Sequence, residues 1–167
     1  MTAWGRKVSK EFVDRVEAIA DDIGTQADWL MACIAFESGF RPGVLNKAGS
    51  GATGLIQFMP NTARSLGTTI AALATMTAEE QLGYVWKYFK PYKGRLNSLE
   101  DTYMAILWPK AIGKSLDYVL FDREHMPTTY RQNAGLDFNA DGKITKYEAA
   151  SKVRAALKTG LLPQNAN

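Results

Sequence analysis

Glu37-Ser38-Gly39-Phe40-Arg41-Pro42, followed by Gly51-Ala52-Thr53-Gly54-Leu55-Ile56-Gln57-Phe58-Met59-Pro60, decides the reading of this chain. The unbroken apolar run Trp29 to Phe36 leads into Glu37 and suits a helix buried on most sides. Gly39 and Pro42 end that helix. Gly43, Gly49, Gly51 and Gly54 then make a loop, with a short hairpin expected near Leu55 to Phe58, and Pro60 suits the first turn of a short helix ending at Gly67. No acidic residue follows Glu37 until Glu79. A lone carboxyl in apolar surroundings has a poorly solvated anion, so its pKa rises and it can hold a proton near neutrality. A proton held there can be given to a glycosidic oxygen.

Outward from this stretch the punctuation is helical. Ser9 is placed to cap a helix carrying Phe12, Val16, Ile19, Ala20 and Ile23, which Gly24 stops. Thr25 is read as the cap of the apolar helix to about Glu37. Thr77 to Glu80 has capping-box spacing and opens a helix to about Lys90, stopped by Pro91. Ser98 caps another through Trp108, closed by Pro109. Residues 110–127 read as a surface segment, Thr128 to Ala134 as a short helix ended by Gly135, and Lys146 to Thr159 as a last amphipathic helix. With no long alternating pattern, repeat or linker, the expectation is a mainly α fold with at most a short β-hairpin, residues 1–167 forming one domain.

Composition excludes several classes. At 46% apolar and 22% charged, the 167 residues match an ordinary globular protein. The Trp29–Phe36 run is far short of the ~20 residues that span a bilayer, so no stable membrane insertion is expected. Cys33 is the only cysteine, so no intrachain disulfide forms, and it reads as a buried inert thiol. The N-terminus carries basic residues with no apolar segment after them, so no secretory leader is expected. Net charge is +3, concentrated between Lys143 and Lys158, a stretch read as a solvated helix face rather than a nucleic-acid surface. His125, the one histidine, is a poor zinc ligand alone.

The site-forming residues are more specific. Cys33 and Glu37 share a helix face. Gly51, Gly54 and the small residues Ser50, Ala52 and Thr53 permit close approach of another surface, and Gln57 offers both a donor and an acceptor. An acid, a close-approach loop and an amide suit a sugar chain lying in a cleft. The paired motif resembles the signature of the soluble-lytic-transglycosylase-like domain, which has a goose-type-lysozyme-like helical fold and occurs in bacterial cell-wall enzymes and phage endolysins. The resemblance implies that Glu37 is the catalytic acid/base and that Gln57 lines the cleft, with Ser50 and Met59 as further substrate-binding candidates. It also implies peptidoglycan glycan strands as substrate, a monomer, no catalytic cofactor, and synthesis in the host cytoplasm with access to the wall through a holin-made lesion. The chain departs from the family's third motif, Ala-Tyr-Asn-Ala-Gly: Tyr103-Met104-Ala105-Ile106-Leu107-Trp108 stands instead. Tyr103 keeps the aromatic, and Tyr130 with Asn133 is the candidate replacement.

A hydrolytic glycosidase normally needs two carboxylates. With one, the family's route is expected, in which the muramoyl 6-hydroxyl closes onto C1 and leaves a 1,6-anhydromuramoyl end. Asp101 is the distant acid that folding could bring near. The rival readings are a hydrolytic muramidase of the same fold and a non-catalytic, calcium-dependent wall-binding module. The calcium reading comes from Asp137 to Glu148, which fits a twelve-residue EF-hand-like loop: Asp137, Asn139 and Asp141 at positions 1, 3 and 5, Gly142 at 6, the Lys143 carbonyl at 7 and Glu148 at 12. A structural calcium is expected there, the alternative being a metal-free Asx-rich turn.

Overall fold

Side-chain caps place most of the helices. In the computed structural model, which describes residues 1–167, Ser9 accepts from Phe12 N at the start of α1 (Lys10–Ile23), and Gly24 closes it at φ +75°. One face of α1 buries Phe12, Val16, Ile19 and Ile23. Helix α2 (Ala27–Ser38) buries every residue from Leu30 to Ile34 and ends at Gly39, φ +59°. Gln26, not Thr25, holds its N-cap position. The Thr25 hydroxyl instead donates to Leu96 O at 3.1 Å, tying the start of α2 to the approach to the sixth helix. Beyond the motif loop come α3 (Pro60–Ser65), α4 (Ile70–Ala74), α5 (Ala78–Phe89, capped by Thr77) and α6 (Leu99–Leu107, capped by Ser98). The short α4, capped by Thr69, has no counterpart in the sequence reading.

The one sheet is not where the sequence suggested. Leu45, Thr53 and Phe58 form isolated bridges only. The strands are β1 (Val119–Asp122) and β2 (Lys143–Thr145), paired antiparallel with Phe121 opposite Ile144 and a bulge between Val119 and Phe121. Residues 110–127 are therefore not simply a surface segment. Leu120 and Phe121 are buried, and Phe121 meets the Trp108 ring edge-on at 5.0 Å. Four residues with a bulge are too short to show the alternation that marks a strand.

After β1 the chain forms α7 (Pro127–Gln132) and a single 3₁₀ turn, Ala134–Leu136. The last helical segment is broken into α8 (Lys146–Ala149) and α9 (Ser151–Gly160) at Ala150. Thr145 and Glu148 form a reciprocal capping box at the start of α8. Helix α2 packs against α1, α6 and α9. One hydrophobic cluster runs from Phe12 in α1 to Val153 in α9.

The basic C-terminal stretch is not a solvated face throughout. Lys146 Nζ lies 2.6 Å from Asp101 Oδ1, with the two side chains only 3% and 9% exposed. Lys146 also donates to Lys114 O, and Asp101 accepts from Gly113 N. Arg154 pairs with Glu100 and stacks 3.9 Å over the Tyr147 ring. A buried ion pair is costly to break on one side only, because the survivor is left charged and dry. Lys146→Met should therefore cost about 3–5 kcal/mol in denaturant melts, and Lys146→Met with Asp101→Leu should recover part of that loss.

Candidate active site

Glu37 sits in the last turn of α2, one residue before the buried Ser38. The Ser38 hydroxyl lies 2.8 Å from Leu55 O and 3.1 Å from Ile34 O, so its proton is shared between the helix and the motif loop. The residue is held from its other side as well: Leu55 N, in the preceding peptide, donates to Gln81 Oε1 at 2.7 Å. The Gln81 amide nitrogen donates in turn to Pro42 O and Leu73 O, both at 2.9 Å. Gln81 is fully buried, and its amide satisfies three main-chain groups that would otherwise be stranded in a dry interior. Gly54 is required beside it. Its φ is +83°, and a Cβ there would stand 2.4 Å from Gln81 Oε1.

Gln57 follows from this clamp. It holds φ +57°, rare for a residue with a side chain, and its amide nitrogen donates to Val44 O and Gly54 O. Its nitrogen thus braces the loop, leaving the carbonyl oxygen as its unspent hydrogen-bonding group. Gln57 and the half-exposed Met59 line a small recess of ≈ 80 Å³ with Tyr88 and Ile106.

The Glu37 carboxyl is pushed up to about 7 by burial, and no neighbouring charge or hydrogen bond offsets the shift. Tyr88 and Tyr103 are both near enough for the Glu37 charge to help raise their own hydroxyls, after burial as the main cause. The Tyr88 hydroxyl donates to Ala105 O at 2.5 Å, and the Tyr103 ring meets Phe36 edge-on at 5.9 Å. Phe36 and Tyr103 line a second recess of ≈ 240 Å³ with Leu107, Asn133, Leu136 and Lys152. Glu37 itself lines neither recess; it follows Phe36 of the second in sequence, and its charge reaches Tyr88 of the first and Tyr103 of the second.

The sequence candidates divide accordingly. Gln57, Met59, Tyr103 and Asn133 line these two recesses. Ser50 lines neither; its hydroxyl accepts from Ala52 N within the exposed loop. Tyr130 lines neither, since its hydroxyl donates to Asp137 Oδ2 at 2.6 Å. Asp101 is engaged by Lys146 and Gly113 N, and no acidic residue lines either recess. Sequence reasoning missed Phe36, Tyr88, Gln81 and Lys152. The i, i+4 spacing of Tyr84, Tyr88 and Tyr92 was a usable signal for an aromatic stripe, whereas a lone internal glutamine such as Gln81 gives none.

A larger recess, ≈ 410 Å³, is lined by Asp122, Arg123, Glu124, His125, Asp141 and Lys143, among others. It contains neither Glu37 nor any neighbour of it, and a single apolar residue lines it. One of its three carboxylates, Asp122, is held below the usual range, chiefly by the His125 N–H, so it is a poor proton donor.

The 137–148 loop offers oxygen donors of the kind calcium takes. Asp137 accepts from Asp141 N and Gly142 N, Asp141 from Lys143 N, and Glu148 from Phe138 N and Thr145 N. Main-chain donors thus engage its carboxylates, and no three acidic, histidine or cysteine side chains converge as a metal-holding group.

A half-buried carboxyl, raised to about 7, ends a helix that Ser38 ties to a clamped glycine loop, in a mainly α, lysozyme-like fold. The chain belongs to the transglycosylase SLT domain family, whose model matches residues 15–105, and members of that family are peptidoglycan lytic transglycosylases. No curated protein matches the chain significantly. The matched segment ends at Ala105, so Ile106, Leu107, Asn133 and Lys152 lie outside it.

The clamp makes a sharp comparison. Gly49 and Gly54 both have positive φ, but nothing lies within 4 Å of a Cβ at Gly49. Each substitution to Ala incurs the backbone strain, of order 1 kcal/mol. Gly54→Ala should cost at least about 2 kcal/mol more than Gly49→Ala in thermal or denaturant melts, because it also displaces the Gln81 amide.

Proposed function

We propose that Glu37 acts alone, first as acid and then as base, in cleaving the β-1,4 bond between N-acetylmuramic acid and N-acetylglucosamine, leaving a 1,6-anhydromuramoyl end. The observation that carries this reading is a single carboxyl poised near 7, with no acidic residue in either of the recesses nearest it in the fold. Protonated Glu37 gives its proton to the bridging oxygen as the C1–O bond breaks. The substrate's own acetamido oxygen stabilises the cationic C1. The anionic Glu37 then accepts the proton of the muramoyl 6-hydroxyl, whose oxygen bonds to C1 and closes the ring. Glu37 ends protonated, and no water is consumed. A pKa near the working pH lets one group serve both steps.

A hydrolytic muramidase would use the same acid but needs a base or nucleophile opposite it, and the engagement of Asp101 by Lys146 weighs against that rival. A pure wall-binding module has no use for a half-buried acid held near neutrality. The departure from the third family motif, an arrangement typical of compact phage lysins, supports an endolysin role with access to the wall through a holin-made lesion. The structure contains no helix long and apolar enough to cross a membrane.

Glu37→Gln should lower lysis of purified walls by about 10²–10⁴-fold while leaving wall binding in place. Because the acid must start protonated, kcat/KM should fall as pH rises through about 7. Stability carries the same signature. Between the ordinary value of 4.5 and about 7 the folded chain binds more protons at Glu37 than the unfolded chain does, so this group makes stability fall as pH rises. Above pH 7, Glu37→Gln should then be more stable than the parent by up to about 3 kcal/mol, with the gain vanishing below pH 4.

We also propose that calcium binds the 137–148 loop in a structural role. The support is the fit of its donor types and spacing, with Gly142 at φ +81° in the turn position. Calcium should raise the melting temperature and chelation lower it, with the chemical step unaffected. An unchanged melting curve would remove the loop as a metal site.

A further inference from the structure

Five basic residues crowd the stretch from Lys143 to Lys158. Lys146 is buried against Asp101, and Arg154 is paired with Glu100. Lys152, between them on α9, has neither kind of partner and lines the recess that holds Phe36 and Tyr103. That recess contains no acidic side chain, and its remaining polar wall is made of the Gln132 and Asn133 amides. Asn133 spends its amide nitrogen on Thr129 O. The recess adjoins the acid: Phe36 is the residue before Glu37, and the Tyr103 hydroxyl feels the Glu37 charge. An unneutralised ammonium beside apolar walls is a place for an anion.

The substrate narrows which anion. Rings and hydroxyls of the glycan strand are neutral. Its negative charges are carboxylates on the lactyl-peptide branch at C3 of the muramoyl unit. The proposed reaction breaks the bond at C1 of that same sugar, so the branch leaves the strand close to Glu37. From this juxtaposition we propose that Lys152 is a specificity-determining residue: it binds a carboxylate of the muramoyl branch in the recess formed by Phe36, Tyr103 and Asn133. The inference rests on the proposed cleavage at Glu37. It gives residues 106–167 a role in substrate choice, although the family match ends at Ala105.

The test uses the full-length protein and three preparations of glycan strands: stems intact, stems removed by an amidase so that the lactyl carboxylate is free, and stems intact but with carboxylates capped as neutral amides. Lys152→Gln should lower kcat/KM about three- to fivefold on strands with free carboxylates, mainly through KM, the size expected for a solvent-accessible ion pair. Lys152→Arg should restore most of the loss, and the penalty should vanish on the amide-capped strands. A penalty confined to intact strands assigns the contact to the peptide stem, one confined to stripped strands to the lactyl carboxylate, and one on both to either group. Equal rates for parent and Lys152→Gln on both charged substrates would overturn the inference, as would a penalty that persists unchanged on the capped strands. Melting curves check that the exposed substitution leaves the fold intact. Failure of the underlying reading looks different: Glu37→Gln would then lyse walls as fast as the parent, whatever Lys152 does.

Discussion

Everything at this site depends on Leu55 being held through both of its main-chain polar groups. Its carbonyl accepts from Ser38 and its N–H donates to Gln81, two buried side chains from different helices. Ser38 belongs to the helix that carries the acid, so the contact fixes the motif loop directly beside Glu37. Gln81 extends the grip to Pro42 and Leu73, one just after α2 and one in α4. A loop containing four glycines has many conformations to lose on folding. Buried hydrogen bonds with no alternative partners select one of them, because each bond left unmade would strand a polar group. The positive φ of Gln57 and the bracing use of its amide are consequences of that selection.

The clamp also bears on the proposed chemistry. Burial alone raises the Glu37 carboxyl to about 7, and the Ser38–Leu55 contact packs the motif loop against the end of the helix that carries it. The aromatic neighbours Tyr88, Tyr103 and Phe36 add apolar surface and no compensating cation. Meanwhile the nearest alternative acid in the sequence argument, Asp101, is locked to Lys146 in the interior between α6 and α8. The buried pair thus joins the C-terminal helices to the family-matched segment and keeps a second carboxylate out of the site. Both effects favour a mechanism in which the substrate's own hydroxyl is the nucleophile.

Much of this was legible in the residues. Ser9, Thr77 and Ser98 announce helix starts because a side-chain cap is a local interaction with a fixed spacing. Glu37 stood out because its isolation among apolar residues is itself a statement about desolvation. What the sequence concealed is what depends on long-range partners. The β1–β2 pair joins segments some twenty residues apart, each too short to show a period. Gln81 is unremarkable until its three main-chain partners arrive from elsewhere. Thr25 has the chemistry of a cap, but a carbonyl at Leu96 competes for its hydroxyl and wins. The basic run read as a solvated face because charge counting cannot see that Lys146 turns inward. Of the two residues read as stand-ins for the missing third motif, Asn133 lines the recess, while Tyr130 is turned to Asp137.

The central claim is that one carboxyl, made neutral by burial, protonates the bond and then recruits the sugar's own 6-hydroxyl. Digesting peptidoglycan in ¹⁸O-labelled water and weighing the released muropeptides tests it most directly. The account predicts unlabelled 1,6-anhydromuramoyl ends. Reducing muramoyl ends carrying ¹⁸O would contradict it, because they would show that water attacks C1 and that a base other than Glu37 activates it.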